Sequence, residues 1–127
     1  MIGETGANVN KIITIGDRYF NASIEDELFC KADIKVTKID KDVIPNTHMA
    51  LRFIQRAEII IVSLEEFTPV AISIISMGKA LGKLIIGVGT EAYFEDPAAN
   101  KDDLLLLELC DFTCMHEDIV YEVNKYL

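Results

Sequence analysis

Four acidic residues fall just after hydrophobic runs: Asp17, Glu65, Glu66 and Glu91. Carboxylates gathered at one place can divide general-acid, general-base and nucleophilic work, because their surroundings push their proton affinities apart. Nearby in sequence stand Tyr19, Phe20 and Phe67, flat rings that can stack on a base. Thr68-Pro69-Val70 has the order of a helix start, whose free amides favour an anion. Gly16 and Asn21 complete the first loop. Each residue also has a plainer role, with Asp17 as a turn residue, Tyr19 and Phe20 as rim core and Glu65-Glu66 as a solvated turn. A second group, Cys110-x-x-x-Cys114 followed by His116, has metal-ligand types, but structural zinc sites usually bring two closely spaced ligand pairs and this is one cluster. The cysteines are expected as small buried hydrophobes, with no metal and no cofactor. Neither G-x-G-x-x-G nor a Walker loop occurs, which removes the commonest dinucleotide and nucleoside triphosphate readings.

These residues need elements to hold them. Lys11 to Ile15 is a β-branched run ending at Gly16-Asp17, and Ser23-x-x-Asp26 approximates a capping box, so a first helix is expected over 23–31. Residues 34–39 alternate strictly, as a strand near an edge would. Met49, Phe53 and Ala57 at spacing four, beside Ala50 and Ile54, place a second helix over 47–56. Residues 58–64 and 84–88 are apolar on both faces, as central parallel strands require. Between them a third helix begins with Thr68 as N-cap and Pro69 inside, and Ala71, Ile75, Gly78 and Gly82 share its packed face. A loop over 92–101, a short helix over 102–108, a weak strand over 111–115 and a closing helix over 117–127 finish the chain.

Such alternation implies an α/β domain, a five-stranded parallel sheet with helices on both faces in the flavodoxin-like, Rossmann-like order 2-1-3-4-5. Residues 1–10 read as a lead-in and 11–127 as one domain. In this architecture ligands bind beyond the carboxyl ends of the strands, where the strand order switches, which gathers the four acids and three aromatic residues on one rim. Cys110, Cys114 and His116 fall by the last strand, near an edge.

The 127 residues carry 12 basic and 21 acidic side chains, a net charge of −9, which opposes duplex nucleic acid as a partner. No apolar stretch reaches the length of about 20 residues that a membrane span needs. The first residues lack a signal-peptide order, and three cysteines cannot all pair within the chain, so a reducing, cytoplasmic setting is expected.

Residues 11–21 resemble the opening strand and A-G-P-x-F loop of the nucleoside 2-deoxyribosyltransferase family. Residues 57–65 resemble that family's third strand, and 68–87 its D-x-G-T-A-x-E-I-G-Y-A-x-A-L-G-K-P-V-I-G stretch. The resemblance implies the same fold and a nucleoside or nucleotide pocket in which Glu65 matches a ligand-binding aspartate. It also puts Ile74 at the nucleophilic glutamate, with Val70 and Ala71 at the supporting glycine and threonine. The implied protein is a nucleotide-binding pseudoenzyme using Gly16, Asp17, Tyr19, Phe20, Asn21, Glu65 and Thr68. The family's habit of building pockets across subunits further implies a homodimer or higher homo-oligomer through helices two and three. Two alternatives stand beside it: an active N-glycosidase or deoxyribosyltransferase using Glu65, Glu66 or Asp17 as a relocated carboxylate, and a non-catalytic assembly subunit.

Overall fold

The computed structural model describes residues 11–40, 47–65, 68–95 and 104–126. Its centre is a parallel sheet of β1 (Ile12–Gly16), β2 (Val36–Asp40), β3 (Ile59–Ser63), β4 (Leu84–Gly89) and β5 (Phe112–Met115), in the order β2-β1-β3-β4-β5. The register pairs Ile12 with both Val36 and Ile59, Ile59 with Leu84, and Ile86 with Phe112. Every residue of β1 and β3 is buried, whereas β2 and β5 are partly exposed. That gradient is why the isoleucine-rich runs occupy the middle and the alternating runs the edges.

Alternate side chains feed two cores. Ile13, Ile15, Ile60, Val62 and Ile85 point to one face, covered by α2 (Thr47–Arg56), α3 (Pro69–Ala80) and α5 (Leu104–Leu109) through Ile54, Ile75 and Leu106. Ile12, Ile59, Ile61, Ile86 and Val88 point to the other, covered by α1 (Arg18–Ala32) and α6 (Ile119–Asn124) through Ile24, Leu28, Ile119 and Val123. Helix α4 (Glu91–Glu95) follows β4, and a 3-10 turn (His116–Asp118) joins β5 to α6.

Helix α3 shows how sequence fixes packing. Thr68 caps its start, and Pro69 occupies its first turn. Gly78 lets the helix settle onto β3, since a Cβ there would lie 2.3 Å from Ile60 Cδ1. The helix stops at Gly82, whose φ of 77° is left-handed, and Lys83 N–H returns to Gly78 O at 2.9 Å, closing the bond pattern of a Schellman cap.

The fold class is as expected, but three boundaries differ. The first helix begins at Arg18 rather than Ser23, because Asp17 supplies the cap. Residues 91–95 form α4 where the expected loop opens, and the closing helix starts with the 3-10 turn. Gly82 is an exposed cap and not part of the packed face. The expected lead-in 1–10 and residues 96–101 of the expected loop lie outside the described residues. No helix among the described residues is long and apolar enough to cross a membrane.

Thr14, in the middle of β1, is fully buried, and its hydroxyl has no hydrogen-bond partner among the described residues. A buried unpaired hydroxyl carries a desolvation cost that an isosteric methyl does not. Thr14→Val is therefore expected to raise unfolding free energy by about 1 kcal/mol, read as a higher urea midpoint at unchanged slope.

Candidate functional site

At the end of β1 the chain turns directly into α1. Asp17 is extended (φ −72°, ψ 173°), and its Oδ1 accepts the Phe20 N–H at 2.7 Å. Its carboxylate is thus an N-cap, and acids there also favour the positive end of the helix. The cap folds Phe20 back over Gly16, where a Cβ would fall 2.4 Å from the ring's Cδ2, so only glycine fits beneath it. Asn21 is buried, and its Nδ2 donates to Gly16 O at 3.2 Å and to Ile39 O at 2.9 Å, tying the ends of β1 and β2 together.

The middle exits are built similarly. Ser63 is the buried last residue of β3, opposite Val88, and Leu64 N–H donates to Val88 O at 2.9 Å. The turn brings Glu65 beside β4, where its Oε1 accepts Thr90 N–H at 3.2 Å. Thr90 Oγ1 in turn accepts Tyr93 N–H at 3.3 Å and starts α4. Phe20, Ser63, Glu65, Val88, Gly89, Thr90 and His116 surround a space of about 60 Å³. That volume suits a few waters, whereas small-molecule sites run to about 300–1,000 Å³.

His116 was not expected there. It leaves β5 toward the rim, and its Nε2 lies 2.7 Å from Ser23 Oγ on α1. A hydroxyl and an imidazole at that distance have the spacing of a nucleophile and its base. Ser23 does not line the cavity, however, so the pair ties α1 to the β5 exit rather than presenting a nucleophile. The available signals were the polar residues that close apolar runs, Ser63 and Thr90, together with a strand order that sets β5 beside β4. The capping-box reading of Ser23 hid its partner.

Of the expected site residues, Phe20 and Glu65 reach the cavity, with Gly16 beneath the ring. Asp17 and Asn21 are spent on the fold. Tyr19 is 78% exposed, with the Arg18 guanidinium 5.9 Å over its ring. Thr68 Oγ1 accepts Ala71 N–H at 3.2 Å as a cap. Glu91 is exposed in the first turn of α4. Glu66 and Phe67 lie outside the described residues.

Ile74 is 3% exposed within the core. Cys110 and Cys114 are half-buried, and that burial pushes both thiols up to about 12, helped by Asp111 at Cys110 and by Glu122 and Asp118 at Cys114. No group of three His, Cys, Asp or Glu among the described residues is placed to hold a metal ion.

No family model matches the chain, and no curated protein matches it. Solved structures do. A pilus assembly-related protein from Burkholderia pseudomallei is 9% identical, with 94% of this chain and 89% of that one covered at a TM-score of 0.59. A structure of the P1 domain of CheA3 in complex with CheY6 from R. sphaeroides gives 14% identity, coverage of 92% and 96%, and a TM-score of 0.60. A DNA-binding response regulator of the LuxR family from Staphylococcus aureus gives 18%, 91% and 97%, and 0.53.

At these identities the likeness shows the fold, a five-stranded parallel sheet flanked by helices. It overturns the nucleoside 2-deoxyribosyltransferase resemblance and, with it, the nucleotide-binding pseudoenzyme and the nucleoside partner. The motifs behind that resemblance, a β-branched strand into a glycine loop and a small-residue helix before an apolar strand, are requirements of the fold itself. The partner that the resemblance implied falls with it, and Ala50, Ile54, Ala71, Ile74 and Ile75 of α2 and α3 are core residues rather than the subunit interface it placed on these helices.

Two outcomes test this assignment of roles. Asp17→Ala should lower stability by about 1 kcal/mol, the usual cost of a lost N-cap, in urea titration. Cys30 is exposed, whereas a thiol at about 12 is almost wholly protonated at pH 8. Iodoacetamide at that pH should label Cys30 alone in the native protein and all three cysteines in denaturant, as read by mass spectrometry.

Proposed function

We propose that this chain is a non-catalytic, single-domain α/β module that works in the cytoplasm by contact with other proteins. One observation carries the non-catalytic half: of the three described rim carboxylates, Asp17 and Glu65 each accept a backbone amide of the fold, and Glu91 stands exposed in the first turn of α4. A carboxylate that is to attack or move a proton must face the reacting group at hydrogen-bond distance, and Asp17 and Glu65 face helix and strand ends instead.

The contact half is supported by large apolar side chains left in water: Tyr19 at 78%, Tyr121 at 67%, Met49 at 54% and Phe29 at 48%. Aromatic residues and methionine are the types enriched where proteins meet. Of the matched structures, one is of a protein complex and another is of an assembly-related protein. Three unbridged thiols fit a reducing compartment.

The test has two arms. Nucleosides and nucleoside monophosphates in excess should leave the melting temperature unchanged and release no free base on chromatography, because a ligand held only by the native state would raise apparent stability. Cross-linking in the source cells, followed by reconstitution from purified components, should yield a binary complex with a second protein. A ligand-induced rise in melting temperature, or release of base, would overturn the reading.

A further inference from the structure

Most described lysines sit within ion-pair distance of a carboxylate: Lys11 with Glu58, Lys31 with Glu27, Lys38 with Glu25, Lys79 with Asp111 and Lys125 with Glu122. That is what a chain with 21 acidic and 12 basic residues should do. The other five described cations have no carboxylate partner among the described residues: Arg18 lies over the Tyr19 ring, Lys83 donates to Gln55 O, and Lys35, Arg52 and Arg56 have neither contact, the last two standing together. Both are exposed on α2, one turn apart, and neither has an ion pair or hydrogen bond among the described residues. Like charges at i and i+4 repel, so the pair weakens the helix that carries it. Arg56 lies in the last turn, where a cation offsets the helix dipole, but Arg52 lies before it and has no such role.

The same outer face carries apolar surface. Met49 is 54% exposed and falls three and seven residues before the two arginines, which places all three on one stripe. Leu51, 37% exposed, lies about 200° round the helix from Met49, at the other border of the exposed face. Opposite, Ala50 and Ile54 are buried in the core, so α2 is anchored by one side and presents the other. Guanidinium groups recognise carboxylates through paired N–H donors, and neighbouring apolar side chains supply the anchor that charge alone lacks.

We propose that this outer face of α2 is a docking surface for an acidic segment of a partner protein, one that alternates carboxylates with apolar side chains. The proposal rests on the protein-contact reading above and names the surface and partner chemistry it would use. Met49 and Leu51 favour a protein over a nucleic acid or an anionic bilayer surface. A phosphate backbone offers nothing apolar to cover them, and the chain's net charge of −9 opposes close approach to an extended polyanion.

The probe is a short fluorescent peptide of alternating leucine and glutamate, titrated with the full chain and followed by anisotropy. Binding should weaken as ionic strength rises from about 0.01 M to about 0.15 M, where the screening length falls from roughly 30 to 8 Å. The double variant Arg52→Ala/Arg56→Ala should lose about tenfold or more in affinity, equivalent to roughly 1.4 kcal/mol. A charge-matched control, Lys31→Ala/Lys125→Ala, removes two cations from the opposite side of the sheet and should change affinity less than about twofold. Met49→Ser should weaken binding while leaving its salt dependence intact.

Equal losses from the two double variants, or no binding of the acidic peptide, would overturn the proposal. So would tighter, arginine-dependent binding of a single-stranded oligonucleotide or of phosphatidylserine vesicles. All the substituted side chains are exposed, so the variants should melt with the parent protein. None of these results depends on the nucleoside arm, so α2 can fail as the docking surface while the protein-contact reading stands.

Discussion

The strands β1 and β3, with all but the first residue of β4, have no polar face, and a sheet with such a centre must be covered on both sides before it can leave water. Fully burying each isoleucine is worth about 1.5–3 kcal/mol, so the run of them dominates the favourable side of folding. Coverage demands helices close to the sheet, and closeness demands small residues at the contacts. Gly78 on α3 meets Ile60, and Gly87 in β4 leaves room for Leu64 and the Cys110 sulfur, which a Cβ would approach to 2.7 and 2.9 Å. The chain order follows as well: parallel neighbours need crossovers, and right-handed crossovers set each helix on the face fixed by the direction of the step along the sheet, so α2 and α3 share one face while α1 lies on the other.

That constraint reaches the rim. A strand buried on both faces must become a helix within a few residues, and each new helix brings amide groups without partners. The polar residues at the exits are recruited for them: Asp17 caps α1, Thr68 caps α3, and Thr90 accepts the Tyr93 amide of α4. At the entry ends the same economy recurs, since Asp111 takes the Ile85 amide at 2.7 Å and the Lys79 ammonium at 3.1 Å. An acid after a strand is therefore what this architecture needs in order to fold. It signals chemistry only when it faces a reacting group, and Asp17 and Glu65 each turn an oxygen to a backbone amide.

The central strands, the second and third helices and the strand order were legible in the sequence because each depends on local periodicity and on caps close in sequence. Thr68-Pro69 marked the start of α3 by chemistry confined to a few residues. The start of α1 was misread because two cap candidates stood six residues apart: the Asp17 cap bonds Phe20, whereas Ser23 bonds His116, 93 positions away. The site was misread for a related reason. Sequence placed the acids on the rim correctly as to position, but whether Glu65 faces a ligand or the Thr90 amide is decided across 25 residues of chain. Periodicity carries no information about such a contact.

What distinguishes this chain from others of its architecture must then lie outside the parts that build it. Proteins with 9 to 18% identity share the sheet and its covering helices, so those features are compatible with many activities. Surface charge is free of that requirement, because exposed ion pairs contribute only about 0–1 kcal/mol to stability. The placement of cations on an acidic surface is thus set weakly by folding and open to other demands. Here half of the described cations are paired with neighbouring carboxylates, while among the described residues α2 keeps two guanidinium groups without an ion pair, beside exposed Met49. A helix needs neither the repulsion nor the exposed apolar area to pack its inner face, since Ala50 and Ile54 already do so. The outer face of α2 accordingly carries features that the packing of its inner face does not require.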